Sequence, residues 1–113
     1  MPERRPMTLT DHDFVPQVLD AEEPVLVDFW APWCAPCRAL GPMIDRLAAT
    51  YQGRLRVGKM NVDDNHRIPM SYGIRSIPTL ILFKGGRAVD QIVGAAPHAQ
   101  IDALLLRHLP PRA

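Results

Sequence analysis

The run PVLVDFWA, residues 24–31, constrains the fold more than any other part of the sequence. It is rich in β-branched and aromatic residues, and every position except Asp28 is apolar. Such a run is typical of a strand at the centre of a sheet that is covered on both faces. Alternation along the strand gives one face Val25, Val27 and Phe29, and the other face Leu26, Asp28 and Trp30.

The rest of the chain alternates between helical and extended patterns. Helices are predicted for residues 10–19, 36–51, 65–73 and 98–109, and strands for residues 24–31, 55–63, 79–83 and 87–94. Thr10 and Asp13 have the spacing of a capping box, and Pro42 predicts a kink in the second helix. Gly85 and Gly86 indicate a hairpin turn. The order predicts an α/β fold with a central mixed sheet that has helices on both faces.

Length, composition and charge exclude several classes of protein. The 113 residues suit one domain, and 47% of them are hydrophobic. A net charge of +1 without a long block of like charge argues against nucleic acid or an anionic membrane as partner. The longest apolar runs are too short to span a bilayer. The N-terminus lacks the pattern of an export signal, so we expect a cytoplasmic, reducing compartment.

The two cysteines of the chain, Cys34 and Cys37, form a CxxC motif. Structural zinc needs four ligands, whereas here there is one cysteine pair and four histidines without ligand spacing, so zinc is disfavoured. A metal shared between two chains stays open at this point. Two inert core cysteines would have no reason to lie where a strand passes into a helix. Redox chemistry is therefore the favoured interpretation of the pair.

The predicted position of the pair explains how it would react. Cys34 falls at or just before a helix N-terminus and Cys37 in the first turn, where unpaired N–H groups and the helix dipole stabilise a thiolate. Pro36 fits this position, because proline is tolerated in the first turn of a helix. We expect Cys34 to attack and Cys37 to resolve the resulting mixed disulfide.

Asp28 is the one charged residue in the central strand. Burial raises the pKa of a carboxyl group, which would make Asp28 a candidate proton acceptor and donor close to the dithiol. The alternative is a structural carboxylate bonded to the backbone or to a lysine, for which Lys59 is the candidate. The sequence favours neither role over the other.

A proline precedes the strand at residues 79–83. The Ile77-Pro78 bond stands where a cis peptide is common, and it would leave the backbone of Ser76 and Ile77 free to pair with an extended substrate. An ordinary trans proline at the start of the strand is the alternative.

Taken together, these residues resemble the thioredoxin family. The motifs that carry the resemblance are VLVDFWAPWCAPCR, GKMNVDDN, YGIRSIPTLILFKGG and VGA, in this order and spacing. The resemblance implies a thioredoxin domain over residues 9–109, with a tail and the start of the first strand in residues 1–8 and a second tail in residues 110–113. It implies a five-stranded mixed sheet flanked by four helices.

The resemblance also implies a role for each matching residue. Cys34 is the nucleophile, Cys37 the resolving cysteine, Asp28 the proton carrier with Lys59 as its partner, and Pro78 the cis-proline. The surface that receives substrates comprises Trp33, Ala35, Pro36, Ser76, Ile77, Val93 and Gly94. Ala35 departs from the family, which usually has glycine there, and our hypothesis is that the redox potential stays in the reducing range. No bound cofactor and no metal are expected.

The activity implied is that of a monomeric protein-disulfide reductase. Electrons would come from NADPH through thioredoxin reductase, and clients would include ribonucleotide reductase, peroxiredoxins and methionine sulfoxide reductases. Two other classes stay open. One is a disulfide oxidase or isomerase, which typically has a histidine between the cysteines, and the other is a non-catalytic subunit that lends its fold to an assembly.

Overall fold

A computed structural model describes residues 5–109 of the chain. Of the two predicted tails, residues 1–4 and residues 110–113 lie outside the described residues. Five strands form one sheet: β1 (Met7–Leu9), β2 (Val25–Trp30), β3 (Arg56–Asn61), β4 (Thr79–Lys84) and β5 (Arg87–Val93). Four helices flank it: α1 (Val15–Leu19), α2 (Ala35–Thr50), α3 (Arg67–Ser71) and α4 (His98–His108). The predicted α/β fold, a five-stranded mixed sheet with four helices, is confirmed.

The sheet has the strand order β1-β3-β2-β4-β5, so β2 lies at its centre. Strand β3 pairs with β1 and β2 in parallel, whereas β4 pairs with β2 and β5 in antiparallel fashion. The backbone of β2 is hydrogen-bonded to a neighbouring strand on each side, and its first five residues are buried. The central buried strand predicted from the sequence is therefore present, with bounds within one residue of those predicted.

Two separate cores show that the predicted alternation along β2 is right. Val25, Val27 and Phe29 pack on the face that also contacts Phe14 and Ile68, beside α1 and α3. Leu26 packs on the opposite face among residues of the two longer helices, α2 and α4. Asp28, two residues further on, belongs to this second face.

The first helix differs from its prediction. It is a π-helix of five residues, whereas the sequence predicts a helix over residues 10–19. Pro16 stands in its first turn, where no N–H is needed, and the preceding residues form a turn. The predicted reciprocal bonds exist in that turn: Asp13 N–H donates to Thr10 Oγ1, and Thr10 N–H donates to Asp13 Oδ1. Thr10 and Asp13 therefore stabilise a turn and do not cap the N-terminus of a regular α-helix.

The remaining predicted elements lie within a few residues of their predicted positions. Pro42 lies inside α2, which continues through it to Thr50. Gly85 and Gly86 both have positive φ, as a tight two-residue hairpin turn requires. Ile101, Leu104 and Leu105 form the buried stripe of α4.

One close approach in the sheet depends on a glycine. A Cβ on Gly58 in β3 would overlap Leu9 Cδ1 and lie 2.9 Å from Leu9 Cγ, and Leu9 is almost fully buried in β1. Leu9 therefore fills the space that any side chain at residue 58 would need. This contact fixes the short strand β1 against β3.

We expect Gly58→Ala to lower the free energy of unfolding by about 1–3 kcal/mol, because the core around Leu9 is overpacked by the added methyl group. Leu9→Ala alone should cost about 2–5 kcal/mol through the cavity that it leaves. In the double variant the new methyl group enters that cavity, so the combined cost should be smaller than the sum. Urea denaturation of the four proteins measures this, and additive costs would contradict the contact.

Candidate active site

Cys34 and Cys37 form a disulfide at the N-terminus of α2, with their Cα atoms 5.2 Å apart. Cys34 is the N-cap residue, with an extended backbone at φ −88 and ψ 108. The Cys37 N–H donates to Cys34 Sγ across 3.3 Å. The predicted placement of both residues is therefore confirmed, and Cys34 sulfur occupies the position of a capping acceptor.

The loop that leads from β2 into α2 is held by two hydrogen bonds. Cys34 N–H donates to the Ala31 carbonyl across 3.1 Å, and Arg38 Nη1 donates to the Pro32 carbonyl across 2.8 Å. Both bonds tie the first turn of the helix to the end of the strand. The sulfur of Cys34 therefore has a fixed direction relative to the sheet.

The disulfide is largely covered, with Cys34 5% and Cys37 3% exposed. It packs with Ala31 and against Trp30, Val62 and Ile77. Exposure therefore does not distinguish the two cysteines. The N–H group that points at Cys34 Sγ does, because it would stabilise a negative charge on that sulfur.

The loop before β4 faces the disulfide. Cys34 Sγ lies 3.8 Å from the Ile77 carbonyl oxygen, and the Ile77-Pro78 peptide bond is cis. The Gly94 N–H donates to the Pro78 carbonyl across 2.8 Å, which holds the end of β5 beside this loop. Ile77 thus contacts the sulfur of a residue 43 positions away in the sequence.

Two shallow clefts form a continuous surface beside the disulfide. One, of about 180 Å³, is lined by Trp33, Val62, Pro69, Ile74, Arg75 and Ile77. The other, of about 260 Å³, also includes Ile74 and Arg75 and extends over Ser76 to Val93. We call these residues together the docking surface. Trp33 and Val93 are 67% and 59% exposed, so the two clefts present large apolar side chains to solvent.

The structure brings most of the predicted surface residues together. Trp33, Ser76, Ile77 and Val93 line the two clefts, and Gly94 adjoins Pro78. Ala35 and Pro36 are exposed in the first turn of α2 but line neither cleft. Both residues stand between the two cysteines in the sequence, but neither belongs to the docking surface.

Sequence reasoning missed several residues that shape this surface. Asp63 accepts the Trp33 indole N–H with both carboxylate oxygens, at 3.1 and 3.0 Å, and so orients the exposed ring. Val62 stands beside it and lines the cleft. A signal was available: β2 and β3 are adjacent and parallel, so residues after β3 lie near the CxxC motif that follows β2.

Asp28 is fully buried, and neither of its carboxyl oxygens has a hydrogen-bond partner within residues 5–109. Burial raises its pKa from 3.8 to about 7, and the positive charge of Lys59 opposes this rise. Lys59 stands directly opposite Asp28 in the register of β2 and β3. Its ammonium lies 4.5 Å from the centroid of the Trp30 ring and forms no ion pair with Asp28.

Within residues 5–109, no group of three or more His, Cys, Asp or Glu side chains is arranged to hold a metal ion. The same part of the chain contains no helix with the length and apolar character needed to cross a membrane.

Comparison with known proteins agrees with this geometry. A family model described as thioredoxin matches residues 5–107. The chain is 52% identical to thioredoxin 1 of Nostoc sp. and 50% identical to the thioredoxin of Synechocystis sp., each over 89% of this chain and 94% of the relative. It is 45% identical to the thioredoxin of Haemophilus influenzae, over the same shares.

The raised pKa of Asp28 predicts how stability changes with pH. A folded-state pKa of about 7 against 3.8 in the unfolded chain means that the fold binds this proton more tightly. The stabilisation is complete below pH 3.8 and is lost as the pH rises through about 7. The full difference corresponds to about 4 kcal/mol at most.

Asp28→Asn removes this titration. We expect the oxidised variant to be more stable than wild type at about pH 8, with a difference that shrinks toward about pH 4. Urea denaturation across this pH range measures the difference, with Asp45→Asn on the exposed face of α2 as the control. A difference that is the same at every pH would contradict the raised pKa.

Proposed function

Because this chain belongs to the thioredoxin family and is a thiol-disulfide oxidoreductase, we propose that Cys34 is its nucleophile and Cys37 its resolving cysteine. The observation that carries the assignment is the Cys37 N–H that donates to Cys34 Sγ at the N-cap of α2. In the reduced protein the same N–H group would favour a thiolate on Cys34 over one on Cys37.

The first step is attack on the client. The Cys34 thiolate attacks one sulfur of a client disulfide, a new bond forms between Cys34 Sγ and that sulfur, and the second client sulfur leaves as a thiolate. The docking surface beside Cys34 is open and combines apolar side chains such as Trp33 and Val93 with polar ones, so it suits an extended client segment. Backbone groups of Ser76 and Ile77 would pair with that segment, with Pro78 setting the course of the loop.

The second step releases the client. Cys37 loses its proton and attacks Cys34 Sγ, which breaks the mixed disulfide and frees the second client thiolate. The product is the Cys34–Cys37 disulfide that is present in the structure. Two electrons have then passed from the dithiol to the client.

Asp28 is the proposed proton acceptor for Cys37. Its pKa of about 7 lies near the pH at which a cytoplasmic protein works, so it can take up and return a proton there. It lies on the sheet face that α2 covers, among side chains that exclude water. Lys59 is its proposed electrostatic partner, because its charge keeps the Asp28 pKa from rising further.

The proposed physiological role is that of a cytoplasmic, monomeric electron carrier that maintains redox homeostasis. Electrons pass from NADPH through thioredoxin reductase to Cys34 and Cys37, and from there to client disulfides. Ribonucleotide reductase, peroxiredoxins and methionine sulfoxide reductases are the proposed clients. Support for this role comes from the family to which the chain belongs.

A reductase assay with cysteine variants tests the assignment. Wild type should catalyse NADPH-dependent reduction of insulin with thioredoxin reductase, whereas Cys34→Ser should be inactive because the nucleophile is absent. Cys37→Ser should attack but not resolve, so it should accumulate mixed disulfides with insulin chains. Non-reducing mass spectrometry detects these adducts.

The same variants distinguish the assignment from its alternatives. Adducts on Cys37→Ser with none on Cys34→Ser support the assigned roles. Adducts on Cys34→Ser instead would reverse the roles of the two cysteines. Insulin reduction no faster than the uncatalysed rate with both wild type and Cys34→Ser would indicate a non-catalytic subunit.

The proton-transfer role of Asp28 has a kinetic test. Asp28→Asn should slow the release of the client from the mixed disulfide by about tenfold or more near pH 7, because Cys37 loses its proton acceptor. The deficit should shrink as the pH rises and hydroxide takes the proton instead. Stopped-flow kinetics of a single turnover measures this, and Asp45→Asn is the matched control. A pH profile identical to that of wild type would contradict the role.

A further inference from the structure

A second cavity, of about 390 Å³, lies on the side of the sheet where β1 pairs with β3. It contains neither cysteine and no residue of the docking surface. The lining residues that bear on its chemistry are Thr8, Trp30, Lys59, Asn61, Asp64 and Asn65. Its volume is near the lower end of the range for small-molecule sites, roughly 300–1,000 Å³.

Lys59 brings a positive charge to this cavity and forms no ion pair with the carboxyl groups nearby, Asp28 and Asp64. Its ammonium lies over the Trp30 ring, and among residues 5–109 it takes part in no ion pair or hydrogen bond. A cation over an aromatic face is stabilised, but its three N–H donors still need acceptors. A ligand bound in the cavity could supply these acceptors.

Two further donors stand beside the ammonium. Thr8 is the register partner of Lys59 on β1, so both side chains lie on one face of the sheet. Asn61, two residues after Lys59, is on that face too. Asn61 Oδ1 accepts the Asp63 N–H across 2.9 Å, which identifies the oxygen and leaves the amide NH₂ as the group available for a ligand.

Asn65 and Asp64 also line the cavity, but neither offsets its excess of hydrogen-bond donors over acceptors. Asn65 is already occupied, because its Oδ1 accepts the Asp11 N–H and its Nδ2 donates to the Asn61 carbonyl. Asp64 is exposed at the rim, where solvent and salt screen its charge. An ammonium, an amide NH₂ and a hydroxyl thus belong to three residues that line one cavity, Lys59, Asn61 and Thr8.

We propose that this cavity binds a small oxyanion, a carboxylate or phosphate group, through Lys59, Asn61 and Thr8. The amide and hydroxyl donate to the oxygens of the ligand and the ammonium supplies the opposite charge. The inference is independent of the proposed catalytic roles, because it concerns binding to the oxidised protein.

The position of the cavity couples the ligand to Asp28. The charged lining residues are Lys59 on β3 and Asp64 after it, and Asp28 lies behind Lys59 on β2, whereas the lining residues from β1 are uncharged. Three more acidic residues, Asp11, Asp13 and Asp63, are hydrogen-bonded to lining residues. A bound anion offsets the charge of Lys59 and so raises the Asp28 pKa further. By reciprocity, a protonated Asp28 strengthens binding of the anion. Binding should therefore be tighter below about pH 7 than above it.

The test is a titration of the oxidised, ¹⁵N-labelled full chain with sodium sulfate, followed by NMR at constant ionic strength. Sulfate keeps its charge across the pH range, so only the protein titrates. We expect saturable shifts in the amides of Thr8, Lys59 and Asn61 and in the Trp30 indole N–H. A parallel titration with acetate shows whether the site takes the tetrahedral anion, the carboxylate or both, and each of these results supports the site.

Matched variants identify the donor. Lys59→Gln should weaken binding by roughly tenfold or more, because a charge-assisted hydrogen bond is lost. Lys84→Gln removes the other lysine of the chain and should leave the affinity within about twofold, since a distant surface charge is screened. Thr8→Val, at an exposed position, should weaken binding without affecting the fold.

Two results would overturn the proposal. One is the absence of saturation with both anions, and the other is equal affinity in wild type and Lys59→Gln, since either would leave an adventitious ion only. A repeat at about pH 6 and about pH 8 tests the coupling, which Asp28→Asn should abolish. Affinity that is the same at both pH values in wild type would contradict the coupling to Asp28.

Discussion

The burial of β2 on both faces is the constraint on which the rest of the structure depends. Five of its six residues are buried, and it pairs with β3 on one side and β4 on the other. Such a strand is stable only when helices cover both faces, which is why the chain has to supply α1 and α3 on one face and α2 and α4 on the other. The end of β2 then fixes where α2 begins, and with it the position of Cys34.

Two opposing effects act on Cys34 at that position. Its sulfur is almost fully covered, which disfavours a negative charge, whereas the Cys37 N–H and the helix N-terminus favour one. A hydrogen bond to a charged group contributes about 1.5–3 kcal/mol, and the helix dipole about 0.3–1 kcal/mol. Cys37 lies one turn further along and has no such N–H directed at it in the described residues. The difference between Cys34 and Cys37 in thiolate stabilisation thus arises from backbone geometry, since the two residues are almost equally exposed.

The sequence predicts well whatever is encoded within a few neighbouring residues. The bounds of β2 and β4, the cap at Cys34 and the two-glycine hairpin follow from local pattern and backbone chemistry. The π-helix at α1 was not predicted, because Pro16 and tertiary packing of Phe14 and Val18 decide its hydrogen bonds. Val62 and Asp63 were missed as site residues for a different reason. They lie beside Trp33 because β3 pairs with β2, a contact between strands distant in the sequence that periodicity does not reveal.

Asp28, the proposed proton acceptor, lies in the same buried strand at the expense of stability. Its carboxyl group has no hydrogen-bond partner among residues 5–109 and lies on a covered face of the sheet, which lowers stability near neutral pH, and an apolar residue there would pack better. Its neighbour in the register, Lys59, is far enough away that the two charges form no ion pair, so the Asp28 pKa settles near 7 rather than falling to that of a paired carboxylate. Because Lys59 also faces the cavity beside β1, any anion bound there acts on Asp28 through a single side chain. Thr8, Lys59 and Asp28 lie side by side on three neighbouring strands. A charge at the edge of the sheet therefore acts through Lys59 on Asp28, the proposed proton acceptor of the dithiol.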